Sequence, residues 1–187
     1  SRLRRLHNAS LSLTKGGGES AINAQCIESY RMDSDLKRIR AIVDYQFGFG
    51  IGEALFPEDT SFERSKRTGK IRFIWIGKTL ISALRPTDGF FTFTIAGAER
   101  LVSIMNPLEC TVTIQDKVAE VIAQGKNVMA RHVVSVGGNI RPGDEVIVLD
   151  SKKVVQAVGR ALLTGKEMSV FQTGVAVRIR RGRDRDR

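Results

Sequence analysis

The stretch Ile122-Ala123-Gln124-Gly125-Lys126-Asn127-Val128-Met129-Ala130 changes conformation at its centre, and the rest of the C-terminal half is organised around that change. Val118, Val121 and Ile122 fall at helical spacing behind an N-cap residue, Asp116. Gly125 ends the helix as glycine does just past a C-cap, and Val128 opens a strand that runs to Val136. Further on, Arg141-Pro142-Gly143-Asp144 has the chemistry of a turn. Glu145–Leu149 and Val154–Leu163 read as a hairpin joined across Asp150-Ser151-Lys152-Lys153. Thr164-Gly165-Lys166-Glu167-Met168 interrupts as a bulge or a single helical turn, and Val175–Ile179 is the last strand. With Thr111–Ile114 ahead of the helix, residues 107–182 hold many short strands separated by glycine-rich turns, the pattern of a compact β pseudo-barrel.

Upstream, residues 33–106 form a separate pattern. Asp33, Ser34 and Asp35 offer N-cap chemistry, and Leu36, Ile39, Val43 and Phe47 then repeat along one helical face until Gly48, Gly50 and Pro57 break it. Strands are expected at Ser61–Ser65, Ile71–Ile76, Thr79–Leu84 and Phe90–Ile95, with turns at 66–70, 77–78 and 85–89 and a closing helix over Ala98–Ile104. Phe90, Phe91 and Phe93 read mainly as core, with Phe91 as the one that faces out. The fold class is therefore α+β, a small helix-plus-antiparallel-sheet domain followed by a β pseudo-barrel. Residues 1–32 show no sustained period and contain Gly16-Gly17-Gly18, so they read as a flexible basic arm. Residues 183–187 read as a basic tail.

The 187 residues carry 30 Lys plus Arg against 20 Asp plus Glu, a net charge of +10. A surface that basic attracts polyanions. No run is long and apolar enough for a transmembrane helix, and the basic start lacks the apolar stretch of a secretory signal. The absence of Met at position 1 reads as a trimmed or processed start. Cys26 and Cys110 are far apart and read as thiols of a cytoplasmic protein rather than a disulfide framework. With those two and only His7 and His132, the sequence offers no zinc quartet, and no nucleophile, cofactor loop or catalytic constellation stands out. The expectation is no metal, no cofactor, no membrane partner and no catalysis by this chain alone.

Residues 108–182 resemble the PUA domain, an RNA-binding module. The resemblance rests on Ile122–Ala130, Val133-Val134, Ile140-Arg141-Pro142-Gly143-Asp144-Glu145-Val146, Val155–Leu162 and Gly174–Arg181, in the family's order. Asp44-Tyr45-Gln46-Phe47-Gly48, Ala54-Leu55-Phe56-Pro57, Ser65–Arg72 and Leu84-Arg85-Pro86-Thr87-Asp88-Gly89 resemble the C2-type domain that precedes PUA in archaeal tRNA-guanine transglycosylases. The resemblance implies a tRNA-binding region of the archaeosine pathway. A catalytic TIM barrel needs about 250 residues, which this chain does not hold. The barrel is then expected as a partner, with this chain as a separate or split subunit that grips the tRNA acceptor end and helps expose the D-loop guanine. The rivals are a free-standing PUA adaptor in rRNA or tRNA processing and a partner of an archaeosine synthase.

Candidate RNA contacts follow from charge and from this resemblance. Gly125, Lys126, Asn127 and Val128 form a loop where an RNA backbone can come close. Arg131 and His132 are expected to point to opposite faces of the next strand, with Arg131 the phosphate ligand. Gly165 and Lys166 lie in the region that borders the RNA end in PUA domains, while Phe171 reads as core. Arg64, Lys66, Arg67, Lys70 and Arg72 surround one hairpin turn, where like charges across the strands call for an anion between them. Arg85 lies in the next turn. Arg178, Arg180 and Arg181 open a C-terminal stretch of six arginines against Asp184 and Asp186.

Overall fold

The computed structural model describes residues 18–105 and 109–185. Helix α1 spans Gly18–Phe47, so it starts well before the expected cap at Asp33. Helix formers such as Ala21, Ala24, Gln25 and Glu28 carry a segment whose lack of apolar period had suggested an arm. Residues 1–17 of that arm lie outside the described residues. From Leu36 onward α1 buries one face, with Leu36, Ile39, Val43 and Phe47 all in the core, as their spacing predicts. Gly48 and Gly50 take φ of +115° and +85° and turn the chain into the short helix α2, Ile51–Leu55. Gly52 packs so close to the Arg40 carbonyl that a Cβ would lie 2.3 Å from its oxygen.

Four strands follow as an antiparallel meander, β1 (Thr60–Arg64), β2 (Ile71–Ile76), β3 (Thr79–Leu84) and β4 (Phe91–Phe93), in the order β1-β2-β3-β4. Strand β4 is shorter than its apolar run because the ends are used otherwise. Arg85 N–H donates to the Phe90 carbonyl in the turn before it, and the Thr94 hydroxyl caps helix α3 (Ile95–Ile104) by accepting from Gly97 N–H. Phe91 and Phe93 are both fully buried, which corrects the expectation that Phe91 faces out; Phe90 is the half-exposed one.

The remaining strands are β5 (Thr111–Ile114), β6 (Val128–Met129), β7 (Val133–Gly137), β8 (Glu145–Leu149), β9 (Val155–Ala161) and β10 (Val175–Gly182), with helices α4 (Ala119–Ala123) and α5 (Gly165–Val170) between them. The sheet order is β6-β10-β9-β8-β5-β7, antiparallel except for the β5–β8 pair. It curls into a half-barrel. The expected strand over 128–136 is split by a 3-10 turn at Ala130–His132. Asp116 does not cap α4; its carboxylate accepts instead from the Ser151 hydroxyl and N–H, which hold it below the usual carboxylate range.

Strand β8 explains how the two domains join. All five of its residues are buried. Val146 and Val148 enter the half-barrel core, while Ile147 and Leu149 enter the core of the first domain, together with Val155 and Val158 of β9. A strand whose side chains alternate between two apolar cores must be apolar throughout. The exception is Glu145, which falls on the side facing the first domain. No helix among the described residues is long and apolar enough to cross a membrane.

Candidate nucleic-acid interface

The loop after α4 is fixed from three sides. Gly125 sits at φ +89° with its N–H on the Ile122 carbonyl. The side chain of Asn127 accepts from Ile179 N–H at 3.0 Å, which ties the loop to β10. Gly182 of β10 packs against the same loop: a Cβ there would lie 2.1 Å from the Ala123 carbonyl oxygen and 2.7 Å from Gly125 N. Lys126 is left exposed at the tip, while Val128 is fully buried and holds the loop down instead of meeting solvent.

Arg131 and His132 lie in the 3-10 turn, so they are not on opposite strand faces as expected. A tight turn places them side by side, and Arg131 Nε donates to His132 Nε2 at 3.2 Å. Partial burial, the Arg131 charge and the Lys117 charge all lower the imidazole pKa, so His132 is a neutral acceptor that orients an exposed arginine. Helix α5 resolves the choice between bulge and turn in favour of a capped helix. The Thr164 hydroxyl accepts from Glu167 N–H, and the Glu167 carboxylate accepts from Thr164 N–H. Gly165 is packed against Val136, while Lys166 is exposed. Phe171 is 44% exposed where core was expected, because α5 ends at Val170 and the chain leaves it extended.

On the first domain, the hairpin cations do not oppose one another as strand alternation implied. A bulge at Glu63/Arg64 pairs Arg64 with Ile71, and Lys66, Arg67 and Lys70 sit in the turn region. Arg64 Nη1 donates to the Gly69 carbonyl, and the Arg72 guanidinium lies 4.9 Å from the centre of the Phe73 ring. Lys66, Arg67, Lys70 and Arg72 are exposed. Arg85 is held by Asp88 at 3.1 Å.

Strand register assembles a row that composition could not show. Glu145 on β8 is the cross-strand partner of Arg160 on β9, and Arg160 is the partner of Arg178 on β10. Directly opposed residues share one face of a sheet. Arg160 and Arg178 are both exposed, and among the described residues neither forms an ion pair. Arg160 Nε donates to the Gly143 carbonyl at 3.1 Å, which leaves the outer guanidinium edge to solvent. Two like charges in this position repel unless an anion joins them. Sequence reading missed Arg160; the available signal was a single charge within the apolar run Val155–Leu162.

Arg180, by contrast, is engaged. It stands at the bulge between Ile179 and Arg181 and reaches the first domain, where Nη2 ion-pairs with the Glu145 carboxylate and donates to the Phe93 carbonyl at 3.0 Å. Phe93 N–H donates to the same carboxylate at 3.3 Å. Burial pushes the Glu145 carboxyl up, opposed by Arg180, the Phe93 N–H and the nearby Arg85 charge. This removes Arg180 from the free phosphate ligands and makes it an interdomain tie. Arg181 is exposed on the same strand, opposite Val158.

The curled mixed sheet with its glycine loop, packed on a meander domain and edged by arginines, defines a two-domain region of the PUA class. Residues 37–107 match the patch-forming domain C2 of tRNA-guanine transglycosylase, and residues 111–183 match the PUA domain. The chain is 40% identical over 161 residues to the tRNA-guanine(15) transglycosylase of Methanobrevibacter smithii, covering 86% of this chain and 24% of the relative. It is 38% identical over 168 residues to the enzyme of that name from Thermoplasma volcanium, covering 89% of this chain and 26% of the relative. It thus spans about a quarter of the length of these relatives, and the shared part is a C-terminal region. Among solved structures, a hypothetical protein of Pyrococcus horikoshii shares the fold at a TM-score of 0.66 and 22% identity, covering 80% of this chain and 90% of that one. A conserved PUA domain protein of Thermoplasma acidophilum does so at a TM-score of 0.57 and 24% identity, covering 79% and 89%.

Proposed function

We propose that this chain is the tRNA-binding part of an archaeal tRNA-guanine transglycosylase system. In this reading its domains hold the acceptor end and present the D-loop guanine for exchange with a 7-deazaguanine base, and a separate TIM-barrel subunit performs the exchange. The observation that carries the reading is the exposed Arg160–Arg178 pair, two opposed cations that a phosphate would bridge. Lys126 at the tip of the glycine loop and the exposed hairpin cations Lys66, Arg67 and Lys70 add charge along the same molecule. The similarity to transglycosylases along both domains supports tRNA as the polyanion. Binding is expected to weaken with salt at a log–log slope of about −0.9 for each duplex phosphate neutralised.

The test is guanine exchange into full-length tRNA by a barrel-only transglycosylase, with and without this chain. Stimulation that is lost in the Arg160→Ala/Arg178→Ala double variant supports the reading. No stimulation with tight tRNA binding intact would overturn it in favour of an RNA-binding adaptor. Co-purification with an archaeosine synthase instead of the barrel would reassign the partner.

A further inference from the structure

We propose that Tyr45 and Phe90, flanked by Arg85, form a stacking platform for one unpaired base of the bound RNA; the inference rests on the RNA-binding reading above. Tyr45 lies in the last turns of α1 and is 81% exposed. Its ring lies beside that of Phe90 in an offset, near-parallel arrangement, with centroids 6.2 Å apart and planes 21° from parallel, and most of the tyrosine remains open to solvent. The Arg85 guanidinium lies 5.7 Å from the centre of the Phe90 ring. Isolated exposed aromatics are ordinary. This one is built into a braced corner.

The bracing comes from both sides of the stack. Gln46, next to Tyr45, accepts from Phe91 N–H at 2.8 Å and so ties the end of α1 to the phenylalanine strand. The turn is closed by Phe90 N–H on the Asp88 carboxylate, by Gly89 N–H on the Arg85 carbonyl and by the Arg85–Asp88 ion pair. A preset ring pair loses little side-chain freedom when a third ring is added.

The chemistry of the surroundings selects the occupant. Arg85 is near enough to Glu145 for its charge to favour the ionised carboxylate, and Glu145 stands in register with Arg160 and Arg178. Arg85 thus couples the platform electrostatically to Glu145, the buried end of the arginine row. A ligand that places phosphates on the row and a flat, neutral π-face on Tyr45 satisfies both. Unpaired nucleotides carry both groups, and proteins read them by stacking on aromatic rings and guanidinium planes. Paired duplex offers phosphates but keeps its bases stacked within the helix.

The experiment measures affinity for an intact tRNA transcript and for a blunt, fully paired RNA duplex, each across a salt series. Tyr45→Ala is expected to bind tRNA about tenfold more weakly, the scale of one base–aromatic stack, with duplex affinity and salt slope unchanged. Tyr45→Phe keeps the ring and should bind as the unaltered protein does. Arg160→Ala/Arg178→Ala is expected to weaken both RNAs and to flatten the slope. Unchanged tRNA affinity in Tyr45→Ala, or an equal loss on both RNAs, overturns the platform while leaving the RNA-binding reading standing. If the unaltered protein binds neither RNA, both fall.

Discussion

The carboxylate of Glu145, buried on β8, meets the guanidinium of Arg180 across the seam between the two domains, and both also bond the backbone of Phe93. The two domains are thus held in one orientation by a polar contact set between two apolar cores.

Removing the partners should have unequal effects. Arg180→Ala leaves a buried carboxylate unpaired and is expected to cost about 2–4 kcal/mol at neutral pH, below the full value for a buried pair because Arg180 is 35% exposed. Glu145→Gln keeps an acceptor for Phe93 N–H and should cost less. Burial raises the folded-state pKa of Glu145, so protonation favours the fold. The stability this contributes is complete below the ordinary Glu range and is lost as pH rises through the folded value. The Arg180→Ala deficit should therefore shrink in urea melts as the pH is taken from 7 towards 4.5. A deficit that stays constant over that range would rule out an ionised Glu145 as its source.

Arg160→Ala and Arg178→Ala should each reduce the salt slope of tRNA binding by about 1, as loss of one phosphate contact does. Neither should disturb thermal stability by more than about 0.5 kcal/mol, since both are exposed and removing either relieves a like-charge pair. Filter binding at several salt concentrations with parallel melts checks both points.

Gly182→Ala should destabilise the protein by about 1–3 kcal/mol, because the added methyl would overlap the Ala123 carbonyl oxygen and Gly125 N. The same displacement moves the Lys126 loop, so tRNA affinity is expected to fall although no charge is changed. A variant with unaltered melting and binding would show that β10 does not support the loop.

Burial, followed by the charges of Asp144 and Glu109, pushes the Cys110 thiol up to about 11. At pH 8 roughly one thiol in a thousand is then a thiolate. Peptide mass spectrometry after iodoacetamide treatment should find Cys110 protected in the folded protein and modified readily in denaturant. Rapid labelling of the native protein would contradict this.

Much of this was readable from the sequence. Turn chemistry and strand alternation are local properties, so Ile71–Ile76, Thr79–Leu84, Thr111–Ile114 and Glu145–Leu149 come out at their observed bounds, and Gly125 stops α4 where a glycine should. The buried face from Leu36 to Phe47 follows from helical period alone. The resemblance of both halves to transglycosylase domains also lay in the sequence.

What required tertiary structure depends on pairing between distant segments. The apolar run of β8 gives no sign that its two faces serve different cores, because only the packed first domain creates the second one. The Arg160–Arg178 row exists through register, and packing against the first domain leaves Arg178 to solvent while committing Arg180, two residues on, to Glu145. Phe91 and Phe90 differ by one position in the same apolar run, yet the Arg85–Phe90 turn and the Thr94 cap decide which enters the core and which meets Tyr45. Local sequence determined the elements; the three-dimensional pairing of those elements decided which charges and rings were left for a ligand, because solvent exposure is set by neighbours that the chain brings together only on folding.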